Sequence, residues 1–176
     1  MARRLHIGGK ARVEGWEILD AIDGPFVDHL GNAKDLRLFN DATFEKVYAS
    51  HVLEHFDYTN EIMQVLVEWR RVLVPGGTLY VSVPDLDVLA GLFLDRDNLS
   101  IGDRFEIMRM IFGGQIDQYD YHLVGLNAEL LADLLYKTGF SRVCKVDGGF
   151  GLFEDTSSFV FKGVPISVNM ICEKPM

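Results

Sequence analysis

The stretch FEKVYASHVLEHF (Phe44–Phe56), continued by EWRRVLVPGGTLYVSVPDLD (Glu68–Asp87), decides the fold. Phe44–Ala49 is a short run rich in β-formers and reads as a strand. Ile62, Val65, Leu66, Trp69, Val72 and Leu73 then recur at i, i+3, i+4, i+7, i+10 and i+11, the stripe of a helix packed by one face. Asp57 and Thr59 are its capping candidates. Arg70 and Arg71, which suit the helix dipole, and then Pro75-Gly76-Gly77 close it and turn the chain into a second strand over Leu79–Pro84. Two strands joined through a helix lie parallel, because a crossover returns the chain to the same end of the sheet.

Outward from this unit, strand-like runs occur at Arg4–Ile7, Trp16–Ala21, around Phe26–His29, at Arg142–Val146 and at Ser167–Glu173, the last expected as an antiparallel edge. A helix is expected over Asn127–Thr138, capped by Asn127 and closed by Gly139. Leu86–Ile111 reads as helical with a break at Asp95–Gly102, and Asp85 stands where an N-cap belongs, with Asp87 exposed beside it. Gly113–Leu126 is polar, glycine-containing and aromatic, which suits a loop over a site. No repeat or low-complexity tract divides residues 1–176, so one domain is expected, with Trp16 and Trp69 in its core.

Acidic residues number 26 against 17 basic, a net charge of -9, which disfavours a nucleic-acid or anionic-membrane partner. The start, MARRLHIGG, is too short in apolar residues for a signal-peptide core or a membrane span, and a cytoplasmic location is expected. Cys144 and Cys172 lack C-x-x-C spacing and are expected as two buried, reduced thiols.

His51, Glu54 and His55 spell H-x-x-E-H, the signature of an inverted zinc-protease site when both histidines lie one helical turn apart. Zinc would need a third ligand, and the nearest candidates, Glu106 and Glu129, lie in no recognisable ligand segment. No metal is therefore expected.

The strand ends give a more coherent picture, because an open parallel sheet binds ligands beyond the carboxyl ends of its strands. The first strand ends in Ile7-Gly8-Gly9-Lys10, where glycines admit close approach to the backbone. The second ends at Asp20, placed to accept from the vicinal hydroxyls of a ribose. Asn32 and Ala33 follow the third, able to meet a purine edge. Ser50 and His51 leave the fourth, and Asp85 and Asp87 the fifth.

In LHIGGK, GWEILDA, GNAKDL, FEKVYASHVLEHF, EWRRVLVPGGTLYVSVPDLD, GGQIDQYDYH and LLADLLYKTGF, the chain resembles the class I S-adenosylmethionine-dependent methyltransferases, in particular small bacterial proteins of the methyltransferase type 11 group. The resemblance implies a Rossmann-like three-layer αβα sandwich with a mostly parallel seven-stranded sheet and an antiparallel edge strand. It implies S-adenosylmethionine as cofactor and S-adenosylhomocysteine as product. Ile7, Gly8 and Gly9 would lie at its methionine part, Asp20 at the ribose, Asn32 and Ala33 at the adenine, and Ser50 and His51 near the sulfonium. Lys10 stands where the family has another glycine, Asn32 where it has Asp, and Asp20 follows Gly8 too soon for a full helix between the first two strands. That crossover is expected to be shortened, and the open side of the pocket to be closed by a homodimer partner or by the Gly113–His122 loop.

Methyl transfer is an in-line displacement, so positioning is the main task and a base is needed only for an acceptor that must lose a proton. His51 and His122 are the candidates for that base. Gln115, Tyr119, Tyr121 and His122 share one loop and suit a small polar acceptor, O- or N-methylated. Glu54 and His55 are expected to brace the turn behind His51. The rival expectation is a methyltransferase-fold protein without catalysis, serving as a binding module, which Lys10 and the short first crossover support.

Overall fold

A computed structural model describes residues 3–176. One sheet holds β1 (Arg3–Ile7), β2 (Glu17–Asp20), β3 (His29–Leu30), β4 (Phe44–Ser50), β5 (Leu73–Pro84), β6 (Ser141–Val146) and, after a small hairpin of β7 (Val160–Phe161) and β8 (Val164–Pro165), β9 (Ser167–Glu173). Their order is β3-β2-β1-β4-β5-β9-β6. The first five are mutually parallel, and β9 runs antiparallel to both β5 and β6. The antiparallel strand is thus interior and β6 is the edge. Val168, Asn169, Met170 and Cys172 of β9 are buried, on both faces of the sheet, as suits a strand with a neighbour on each side.

Alternation along the strands divides the sheet into two unlike faces. Leu5, Ile7, Val47, Ala49, Leu79, Val81, Val83, Val168, Met170 and Cys172 point to one face and form a single core. Two helices cover it: α1 (Ile62–Val72) through Ile62, Val65, Leu66, Trp69 and Val72, and α4 (Ala128–Lys137) through Leu131 and Leu135. Asn127 caps α4 by accepting from the Leu130 N–H, and Gly139 ends it with a positive φ of 87°. The helices α2 (Leu86–Leu94) and α3 (Ile101–Phe112) pack on each other around Leu89 and Ile107, beyond the end of β5. Asp85 caps α2 by accepting from the Asp87 N–H.

The opposite face carries His6, Tyr48, Ser82 and Asn169, and its cover is a loop. Residues 8–16 and 21–28, which join β1 to β2 and β2 to β3, contain no helix, as the early Asp20 requires. Trp16 instead meets Tyr48 and Phe153, and Phe150 also packs on Tyr48. Tyr48 Oη donates to Asp155 Oδ2 at 2.6 Å, and Asn169 Nδ2 donates to the Ser157 carbonyl. An aromatic strap thus stands in place of part of a helical layer.

Three local expectations change. The third strand begins at His29 because the Asp28 carboxylate takes the Ile18 N–H and Val27 closes a turn on Gly24. The fifth strand begins at Leu73, directly after α1, because Lys174 Nζ donates to the carbonyls of Arg71 and Leu73 and Lys174 N donates to Gly77 O. Cys144 is exposed, since it lies on the loop-covered face at the sheet edge, whereas Cys172 is buried. Among the described residues no helix is long and apolar enough to cross a membrane.

Candidate functional site

Register brings the expected strand ends to one level. Ile7 pairs with Leu19 on one side and Ala49 on the other, Asp20 pairs with Leu30, and Ser50 pairs with Ser82. The Ile7 side chain is in the core, so only its backbone faces this rim. Gly8 leaves β1 with φ 77°, and a Cβ there would lie 2.8 Å from Val52 Cγ2. A Cβ on Gly9 would lie 2.8 Å from the His6 ring. Both glycines are therefore demanded by the protein's own packing as well as by any approach of a ligand.

Asp20 is 8% exposed and ends β2 with its carboxylate already oriented. Oδ1 accepts from the Ile22 N–H at 2.9 Å, and Oδ2 accepts from Lys10 Nζ at 2.7 Å. The Lys10 side chain is 78% exposed, so this ion pair is the exchangeable kind and contributes little to stability. Asn32 Oδ1 accepts from the Lys34 N–H, and the Ala33 carbonyl accepts from Trp69 Nε1 at 2.9 Å. Trp69 thereby fixes the loop after β3 to α1.

The side chains leaving β4 turn to the other side of the rim. Ser50 Oγ is 2.9 Å from Thr156 Oγ1. His51 has φ 53° and places Nε2 2.9 Å from Ser167 Oγ, at the start of β9. The positive φ ends β4, and Leu53–His55 forms one 3-10 turn, so His51 and His55 do not share a helical face. The H-x-x-E-H geometry of a zinc protease is absent.

A second group converges here instead. Glu54 is 1% exposed, its backbone carbonyl accepts from Leu123 N and Val124 N, and neither carboxylate oxygen has a hydrogen-bond partner among the described residues. The bracing expected of Glu54 is thus done by its backbone. Glu54 Oε1 lies 3.6 Å from His51 Nδ1 and 3.9 Å from His122 Nε2. His55 Nδ1 donates to the Tyr121 carbonyl and His122 Nδ1 to the Met110 carbonyl, each at 3.0 Å, and the two rings meet edge to face at 4.9 Å. Burial pushes the Glu54 carboxyl up to about 8, and pushes His51 down to about 3 and His122 down to about 4, with a neighbouring histidine adding to each imidazole's shift. Both imidazoles are neutral at pH 7.

The Gly113–His122 loop does reach this turn. Gly113 and Gly114 pack directly against Asp120, where a Cβ on either would collide, so the loop folds tightly on itself. Gln115 Nε2 reaches only the Phe112 carbonyl at 3.5 Å, and Tyr119 and Tyr121 are exposed. His122 is the loop residue delivered to the cluster. Sequence reasoning missed the strap at Asp155–Ser157, because its polar side chains carry no periodic signal and act only across the sheet.

A methyltransferase-domain family model matches residues 18–81. Among solved structures, the CurJ carbon methyltransferase superposes with TM-score 0.62 at 16% identity over 99% of this chain and 49% of that one. An S-adenosylmethionine-dependent methyltransferase from Archaeoglobus fulgidus gives 0.60 at 16% identity, covering 98% of this chain and 86% of the other. The 1,6-didemethyltoxoflavin-N1-methyltransferase of Burkholderia thailandensis, solved with S-adenosylhomocysteine bound, gives 0.58 at 14% identity, with 99% and 72% covered. The chain thus spans about half the length of the carbon methyltransferase. A search of curated proteins finds no match.

Proposed function

We propose, from the premise that this chain has the class I S-adenosylmethionine-dependent methyltransferase fold, that it transfers a methyl group to the oxygen or nitrogen of a small polar acceptor. The observation that carries the reading is Asp20: a preoriented carboxylate at a strand's carboxyl end, held by a lysine that ribose hydroxyls can replace. The residues fit the cofactor. Gly8 and Gly9 keep the first strand end free of side chains, Asp20 would hold the ribose, and the Asn32-Ala33 loop, fixed by Trp69, would border the adenine. Lys10, released from Asp20, would pair with the cofactor's carboxylate. The cofactor supplies an electrophilic methyl group on a sulfonium.

The acceptor would enter between the Gly113–His122 loop and the turn after β4, beside His51, His122, Gln115, Tyr119 and Tyr121. His122 and His51 are neutral at pH 7 and each has a ring nitrogen open to a hydroxyl's proton, but burial lowers both and makes them weak bases, so positioning of the acceptor carries the larger share of catalysis. Two free thiols, one exposed, fit a reducing cytoplasmic setting. Exposed Leu30 and Leu38 beside the cofactor rim support a homodimer that closes its open side.

Calorimetric titration with S-adenosylhomocysteine tests the reading: micromolar binding is expected, weakened at least about tenfold in Asp20→Ala, equivalent to 1.4 kcal/mol. A flat titration up to millimolar ligand overturns it. One observation favours the second reading, a catalytically silent binding module: Lys10 and Thr156 already satisfy Asp20 and Ser50. Binding of S-adenosylhomocysteine without turnover of any polar acceptor is what that reading expects.

A further inference from the structure

Four lone-pair atoms meet at the turn after β4, and apart from a proton on Glu54 itself no hydrogen-bond donor among the described residues faces them. The tautomers follow from the partners. His55 Nδ1 and His122 Nδ1 each face a backbone carbonyl, so each carries the proton there and leaves Nε2 as a bare acceptor. Ser167 Oγ donates its hydroxyl proton to the Thr156 carbonyl at 2.8 Å, so it can only accept from His51 Nε2. His51 Nδ1 is then also bare, and it points at Glu54 Oε1 from 3.6 Å. The Glu54 carboxylate is buried and unpartnered at both oxygens. As the acid, Glu54 has one proton for three bare imidazole nitrogens; as the carboxylate, it lacks the compensation that buried charges require, and a bound cation would satisfy all of them together.

We propose that Glu54, His55 and His122 hold a divalent first-row transition-metal ion, with His51 Nδ1 available as a fourth donor. One ligand atom from each of Glu54, His55 and His122 already lies within 4.8 Å of the others, a spread that small side-chain movements close onto an ion. The Nδ1–H···O=C bonds of His55 and His122 are the outer contacts that fix ligating histidines in the required tautomer. One carboxylate with two or three imidazoles suits zinc, cobalt or iron(II) and not the all-oxygen preference of magnesium or calcium. This set differs from the zinc-protease reading of H-x-x-E-H in its members. Glu54 becomes a ligand, and the ligand that Glu106 or Glu129 failed to supply comes from the Gly113–His122 loop.

The ion would tie that loop to the end of β4 and, in place of proton uptake by His122 or His51, whose bare nitrogens it would occupy, offer an open position to an oxygen of the acceptor, which would favour hydroxyl or carboxylate acceptors over amines. This role, though not the binding itself, rests on the methyl-transfer reading.

The test is a titration of the chelator-treated full chain with Co²⁺, followed by calorimetry and visible absorption, with S-adenosylhomocysteine titrated separately. One equivalent bound at micromolar affinity or tighter and displaced by Zn²⁺ is expected, with Glu54→Gln and His122→Asn each weakening uptake about 100-fold or more. His122 lies on a loop, so His122→Asn stays informative where Glu54→Gln fails to fold. His29→Gln, which removes the imidazole paired with Glu17 at β3, should leave uptake unchanged. No stoichiometric Co²⁺ uptake by the wild-type chain, or uptake unaltered in both Glu54→Gln and His122→Asn, overturns the proposal. Co²⁺ binding without S-adenosylhomocysteine binding keeps the metal site and removes the methyltransferase reading, and the converse result does the opposite.

Discussion

The phenol of Tyr48 donates to the carboxylate of Asp155 at 2.6 Å, joining the middle of the sheet to a loop more than a hundred residues later. Ser157 Oγ lies 3.2 Å from the same phenol, and Thr156 reaches Ser50 and Ser167. Burial and the Asp155 carboxylate both raise the Tyr48 hydroxyl's pKa, so it stays a donor throughout the ordinary pH range. The strap therefore hangs on a charge-assisted hydrogen bond.

Tyr48→Phe should lower stability by about 1.5–3 kcal/mol, the range for hydrogen bonds to charged groups, in denaturant unfolding. Asp155→Asn should cost less, since the amide still offers an acceptor. A double-mutant cycle should show coupling of at least about 0.5 kcal/mol, and strict additivity would mean the bond adds nothing.

His6 gives a pH dependence of known sign. It is 5% exposed, lies against the rings of Tyr48 and Phe153, and is pushed down to about 4, mainly by burial. The unfolded chain takes up this proton below pH about 6.5 while the folded chain does not, so the contribution is full above that pH and is lost as pH falls to about 4. The loss approaches roughly 3 kcal/mol by linkage. His6→Phe should flatten this part of the stability–pH curve relative to wild type, and an unchanged slope between pH 6.5 and 4 would show that His6 is not the group.

At Gly8 two effects should separate. Gly8→Ala meets both the positive φ and Val52 Cγ2, and it should cost about 1–3 kcal/mol while weakening S-adenosylhomocysteine binding. Val52→Ala in the same chain removes the collision and leaves the backbone strain. Recovery of only part of the lost stability in thermal melts is expected.

Trp69 is fully buried, and its Nε1–H is the partner of the Ala33 carbonyl. Trp69→Phe leaves that carbonyl unsatisfied and opens space, with an expected cost of about 2–4 kcal/mol. Because the bond fixes the loop after β3, S-adenosylhomocysteine affinity should fall along with stability. Full affinity in the folded variant would show that this loop does not border the cofactor.

The sequence by itself determined the parallel β4–α1–β5 unit, because periodicity and the Pro75-Gly76-Gly77 stop are local signals. It also determined the caps at Asp85 and Asn127, and the level at which Gly8, Asp20 and Ser50 emerge, since parallel strands in register carry their ends to one rim. Tertiary structure alone decided that β9 lies inside the sheet, because only pairing on both sides distinguishes an interior strand from an edge. It also decided the strap over Tyr48 and the meeting of Glu54 with His122. Those contacts join residues far apart in the chain, where no spacing rule operates. H-x-x-E-H spelled a helix pair, but the left-handed turn at His51 broke that helix and left its second histidine to be met by a loop.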